Sequence, residues 1–119
     1  MKRGEVCEAL LEPRSGSEQR GRRPVILLMR ETFLRAPGWR SIIVVPISSS
    51  ARQGARGPTA VPLSAGTGGL TLDSVALCHQ VTTLDRAKLG QRLGELPAED
   101  LRRIEEGVLI AQGTQVSGR

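Results

Sequence analysis

Along the chain, apolar positions gather into five short, mostly branched blocks and one stretch with helical spacing. Val6 to Leu11 follows a basic start and ends at Glu12–Pro13, which predicts a short first strand. Pro24 to Met29 (PVILLM) reads as a buried strand entered through a proline, where the missing N–H does least harm. Ser41 to Ile47 (SIIVVPI) is almost entirely β-branched and is the strongest strand in the sequence. Thr59 to Leu63 reads as a short edge-like strand, and Asp73 to Val81 (DSVALCHQV) as a fifth. Leu101, Ile104, Val108 and Leu109 recur at three- and four-residue spacing, so Pro97 opens a helix that lays one face on the sheet. Proline in its first turn, with Glu99 and Asp100 beside it, suits the helix dipole.

The polar stretches set the connections. Residues 14–23 hold no apolar side chain and predict a loop of about ten residues. Residues 48–58 (SSSARQGARGP) make a second polar, basic loop, and SAGTGG at 64–69 makes a turn. Residues 32–40 carry Pro37–Gly38 and both aromatics, a connector with one helical turn. Residues 83–88 predict a lesser helix or turn. Residues 1–112 then form one domain, with 113–119 a flexible tail. Five strands followed by a helix predict a compact, strongly curved, mostly antiparallel sheet closed by the C-terminal helix, an α+β architecture dominated by β.

Composition sharpens this picture. At 119 residues the chain can build one apolar core without metal or disulfide staples. Apolar residues make up 39% and aromatics 2%, so the core consists of Leu, Val and Ile. Cys7 and Cys78, with His79 the sole histidine, fit neither a zinc pattern nor a disulfide framework, and read as small buried hydrophobes of a reduced compartment. The start lacks an apolar core long enough for a signal peptide and no segment approaches a membrane span, which predicts a soluble cytoplasmic protein with no membrane partner. SAGTGG lacks the Lys-Ser/Thr and following helix of a phosphate loop.

Charge gives the first functional pointer. The net charge is +5 with a pI near 10.5, and it is uneven: residues 1–59 hold eleven Lys/Arg against five Asp/Glu, residues 60–119 six against seven. A basic half on a small domain is an electrostatic footprint for a polyanion, and arginine suits bidentate phosphate contact. In GSEQRGRRPVILL, Gly16 to Leu28, three arginines crowd the mouth of a buried strand. If the loops 14–23 and 48–58 share one end of the sheet, these arginines meet in a groove fit for a phosphate chain.

Five blocks stand in series: KRGEV at 2–6, GSEQ at 16–19, RRPVILL at 22–28, IIVVPIS at 42–48 and DSVALCHQVTTLDRAKLG at 73–90. Together they resemble the MazF/PemK toxins, the ribonuclease partners of bacterial toxin–antitoxin pairs, from Lys2 to about Ala111. The resemblance implies a small SH3-like barrel, a homodimer, cleavage of single-stranded RNA at short sequences without metal or cofactor, and an antitoxin partner. That antitoxin is expected to bring an acidic, disordered tail that folds on binding. The family's catalytic arginine, just before the strand proline, corresponds to Arg23, and its hydroxyl partner after the VVPI strand, usually threonine, to Ser48. Its loop glutamate matches Glu18 and its RNA-facing strand glutamine matches Gln80. Ser17, Gln19, Arg20, Arg22 and Ser49 complete the implied substrate-binding set. CEALLEP replaces the family's usual tryptophan–aspartate pattern near Cys7, and Arg20 stands where glycine or alanine is common.

RNA carries its own nucleophile, the 2′-OH, so the protein must deprotonate it, steady the charge growing on phosphorus and release the 5′ oxygen. A fixed guanidinium offers forked donors to two phosphate oxygens, the task for Arg23. Ser48 adds one hydrogen bond. Arginine is a poor base, so Glu18 is the candidate proton acceptor, although its arginine neighbours lower its basicity. His79 titrates near neutrality unaided, but next to Gln80 on an alternating strand it is expected to face the other way. Two other functions compete. A topoisomerase-poisoning toxin on the same fold relies on a C-terminal aromatic, which AQGTQVSGR lacks. A non-catalytic single-strand-binding module needs stacking aromatics, of which only Phe33 and Trp39 exist.

Overall fold

The computed structural model describes residues 1–11, 21–49 and 57–114. Among these described residues, seven strands and two α-helices follow in the order β1 (Glu5–Leu11), β2 (Gly21–Leu27), α1 (Glu31–Leu34), β3 (Ser41–Ser48), β4 (Ala60–Leu63), β5 (Ser74–Leu77), β6 (Thr82–Asp85), β7 (Leu89–Glu95) and α2 (Ala98–Ala111). The strands form one antiparallel sheet in the order β4-β5-β3-β2-β1-β7, with β6 also on β3.

β3 is buried on both faces, which is why its sequence is a continuous apolar run rather than an alternation. Val45 and Ile47 join Val6, Ile26, Leu63 and Ile104 in the core between the curled sheet and α2. Ile42 and Val44 join Cys7, Val25, Leu27 and Leu34 in a second core on the opposite face, under α1. Phe33 packs against this second core and stacks on the exposed Trp39, centroids 4.2 Å apart. Arg86 reaches across from the turn after β6 and donates to the carbonyls of Phe33, Leu34, Ala36 and Trp39, which ties the end of α1 and the connector to the sheet.

Several expected boundaries move. β2 begins at Gly21, so Pro24 lies inside it rather than at its mouth. β2 pairs with β3 only from Val25 onward, so Pro24 needs no N–H on that side. The expected strand 73–81 ends at Leu77, and Cys78–Gln80 form a 3-10 turn. Ile47 pairs with Ala76 and Val44 with Thr82, so this segment keeps running along β3 after three extra residues are inserted. Residues 82–85 are a strand, not part of a helix; only Arg86–Lys88 make a 3-10 turn. β7 was absent from the expected order. α2 buries Ile104, Gly107 and Val108, while Leu109 is exposed.

Neither edge strand pairs with the other, yet the sheet curls until they nearly meet. The turn after β4, a 3-10 segment at Thr67–Gly69, packs on β7 backbone to backbone at Gly94. Beside this seam the buried Glu5 carboxylate is paired with Arg92 and accepts from the Lys2 N–H at 2.6 Å. Burial raises its pKa, but Arg92 and the Lys2 N–H together outweigh it and hold the group below the usual carboxylate range.

Both cysteines are buried and free, as the sequence suggested. Burial pushes the Cys78 thiol up to about 11. Its Sγ is 3.6 Å from the Ile104 carbonyl, and a Cβ added to Gly107 would stand 2.7 Å from it. A glycine-to-alanine change inside a helix ordinarily stabilises by about 1 kcal/mol. Here Gly107→Ala is expected to lower the urea midpoint instead, and adding Cys78→Ala is expected to recover part of the loss. A raised midpoint for Gly107→Ala alone would mean that α2 does not lie this close to the sheet.

Candidate nucleic-acid site

Register brings the site together. β2 and β3 pair Leu27 with Val44 and Val25 with Pro46, and continuing that register by two residues sets Arg23 level with Ser48. Alternation puts both on the face that carries Val25 and Pro46. On its other side β2 pairs with β1 through Ala9 and Arg23, then Leu11 and Gly21. The points where the two basic loops leave the sheet, after Leu11 and after Ser49, therefore lie at the same end. The condition for a shared cationic groove is met at these anchors.

Arg23 is exposed and lines a cleft of about 160 Å³ with Pro24, Ile47, Ser49, Thr71 and Leu72. Ser48 is only 6% exposed and its residue pairs with Val75 in the ladder to β5. Ser49, one residue on, is exposed and lines the cleft itself. Of these two successive hydroxyls, Ser48 is nearly buried at the level of Arg23 along the sheet, and Ser49 opens onto the cleft.

Other expected site residues fall elsewhere. Arg22 alternates to the other face of β2, and its Nη1 lies 3.3 Å from where a Cβ on Gly90 of β7 would stand. Gln80 is half-buried in the 3-10 turn beside the middle of β3, several residues along from Ser48. His79 occupies the same turn, so the strand alternation argued for this pair does not apply; its Nδ1 is 3.3 Å from the Thr59 hydroxyl. Ser17, Glu18, Gln19 and Arg20 lie outside the described residues, as do 50–56. The sequence reading missed Thr71 and Leu72. Its only signal was one large apolar residue stranded between Thr71 and Asp73.

Among the described residues, no group of three His, Cys, Asp or Glu side chains is placed to hold a metal ion. No described helix is long and apolar enough to cross a membrane.

Known proteins share this chain's sequence and its fold. Endoribonuclease EndoA of Bacillus subtilis is 32% identical over 111 residues, 93% of this chain and 93% of that protein. The Mycobacterium tuberculosis toxin MazF-mt6 superposes with a TM-score of 0.75 at 27% identity, covering 94% of this chain and 99% of that one. A chain of the MazE–MazF structure from Deinococcus radiodurans gives 0.72 at 26% identity and 97% coverage of both. The family model for the PemK-like, MazF-like toxins of type II toxin–antitoxin systems matches residues 2–111, from the first basic residues to the end of α2, and the chain belongs to that family.

Proposed function

We propose that this protein is an endoribonuclease toxin that cuts single-stranded RNA at short sequences, using the substrate's own 2′-OH. The observation that carries the reading is the place of Arg23: exposed in a cleft, level with Ser48, at the sheet end from which both basic loops depart. The name of the Bacillus subtilis relative supports the activity.

In the reaction the 2′-OH loses its proton, its oxygen bonds to phosphorus, and the bond from phosphorus to the 5′ oxygen breaks. The products are a 2′,3′-cyclic phosphate and a 5′-OH. Arg23 holds two non-bridging oxygens as their charge grows, because its planar fork matches their spacing and needs no reorganisation. Ser48 donates one hydrogen bond to the same oxygens, and Ser49 orients the strand in the cleft. Glu18 takes the 2′ proton, and solvent water supplies the proton that completes the departing 5′-OH. Ser17, Gln19, Arg20, Arg22 and Gln80 hold the flanking nucleotides, Arg22 and Gln80 from outside the cleft.

The working unit is a homodimer, silenced by an antitoxin whose acidic tail folds over the basic loops. The MazE–MazF structure from Deinococcus radiodurans and the +6 balance of residues 1–59 support that partner.

A long single-stranded RNA incubated with the protein in EDTA, beside an all-deoxy strand of the same sequence, tests the reading. Cuts at short motifs that survive EDTA, spare DNA and leave cyclic phosphate ends are expected, and saturating antitoxin is expected to suppress them. Intact RNA, or cutting abolished by EDTA, would overturn it.

A further inference from the structure

Leu72 is 61% exposed, the most open of the large apolar residues among those described, and it lines the cleft that holds Arg23. Its exposure is built in. Leu70, two residues before, is anchored in the core, and its carbonyl accepts from Gly66 N–H at 2.7 Å. The Leu72 carbonyl accepts from the Ser74 hydroxyl at 2.9 Å, and Asp73 accepts from Ala65 N–H at 2.9 Å. These three hydrogen bonds fix the turn on both sides of Leu72, so its side chain is held out over the cleft rather than left to collapse onto the core.

Single-strand binders ordinarily seat bases on aromatic rings. Both aromatics of this chain are committed elsewhere. Phe33 and Trp39 stack on each other in the connector that follows the end of β2, whereas Arg23 lies near its start. The Trp39 indole N–H is also spent on the Ser41 carbonyl at 2.6 Å.

We propose that Leu72 is the base platform of this site: a specificity-determining residue whose side chain packs on the face of the nucleobase attached to the phosphate that Arg23 grips. The proposal rests on the ribonuclease reading above. Its chemistry is shape and apolar contact, so it adds affinity to any base laid on it and favours the ones whose faces cover it best. Because the turn is already ordered, little entropy is lost on binding.

The test uses a randomised 2′-fluoro RNA octamer with a 5′ fluorophore, which lacks the nucleophile and cannot be cut. Binding is read by anisotropy at fixed salt, for wild type, Leu72→Ala and Leu72→Trp. Leu72→Ala is expected to bind roughly fivefold more weakly, the effect of uncovering about half an apolar side chain, and Leu72→Trp more tightly. In a parallel digest of a long RNA, Leu72→Ala is expected to keep cutting but with a relaxed base preference beside the cut. Binding within twofold of wild type for both variants overturns the proposal. That result stands apart from failure of the ribonuclease reading, which appears as wild type that binds the octamer yet leaves the long RNA intact. A change in oligomeric state with unchanged octamer binding would also overturn it, by making Leu72 a protein contact.

Discussion

Arg23→Ala is expected to lower kcat on RNA by about 10³-fold or more while leaving the thermal midpoint within a few degrees of wild type. A single donor aimed at developing charge in an acyl-transfer site is worth about 10²–10³ in rate, and an arginine that meets phosphoryl charge about 10³–10⁵. The stability side follows from exposure: the head of Arg23 is at the surface, so its loss opens no cavity. Arg23→Lys restores the charge but not the planar fork, so it is expected to recover only a small part of the rate. The hydroxyls can be ranked in the same assay. Ser48→Ala is expected to fall further than Ser49→Ala, because Ser48 is the residue in register with Arg23 and its side chain is already fixed by burial. If Arg23→Ala cuts within tenfold of wild type, the phosphate is held elsewhere. If Ser49→Ala falls further than Ser48→Ala, the open hydroxyl is the one that works.

How much of this was legible in the sequence depended on what each residue pays for in the fold. β3 was plain because both of its faces are covered, and α1 because Pro37–Gly38 end it at once. β7 (LGQRLGE) was invisible: it is an edge strand with no buried residue, so it carries no alternation to read. β6 (TTLD) does alternate in burial, but over four residues with Leu84 as its one apolar side chain, too short a run to read as a strand. The end of β5 at Leu77 could not be seen either. Cys78 is fully buried like a strand residue, but it is buried under α2, in a 3-10 turn across which the register along β3 shifts. Leu109 matched the helical period yet faces solvent, because the helix meets the sheet through Ile104, Gly107 and Val108, a stripe that includes a glycine no hydrophobic pattern counts. For the site, the crowding of arginines before Pro24 was legible as chemistry, and the resemblance singled out Arg23 and Ser48. The separation of Arg22 from Arg23 required knowing that the strand starts at Gly21 and that alternation already applies to both.

Gly69→Ala is expected to be the most damaging single methyl in the described chain, costing about 3–5 kcal/mol and lowering the thermal midpoint by roughly 10–25 °C. Gly69 has φ +80°, and a Cβ there would overlap the Leu93 carbonyl oxygen and stand 2.6 Å from its carbon. Nothing flexible can yield, because the obstacle is the β7 backbone. From the other side, a Cβ on Gly94 would lie 2.5 Å from the carbonyl carbon of Gly68. The seam is thus backbone against backbone, Gly68 and Gly69 on Leu93 and Gly94, which draws the turn after β4 onto the far edge strand and encloses Val6 and Leu96. Gly66 supplies the control: its φ is +94°, yet no atom lies within 4 Å of an added Cβ. Gly66→Ala is expected to cost only the backbone strain, about 1–2 kcal/mol, so the difference between the two variants measures the seam itself. Equal losses for Gly66→Ala and Gly69→Ala would show that the edges are not sealed by this contact. A larger loss at Gly69 has a functional corollary, since the chain passes from the seam directly through Leu70 to Leu72. A seam forced apart at Gly69 moves the root of that turn, so RNA binding is expected to weaken in Gly69→Ala even at temperatures where the protein remains folded.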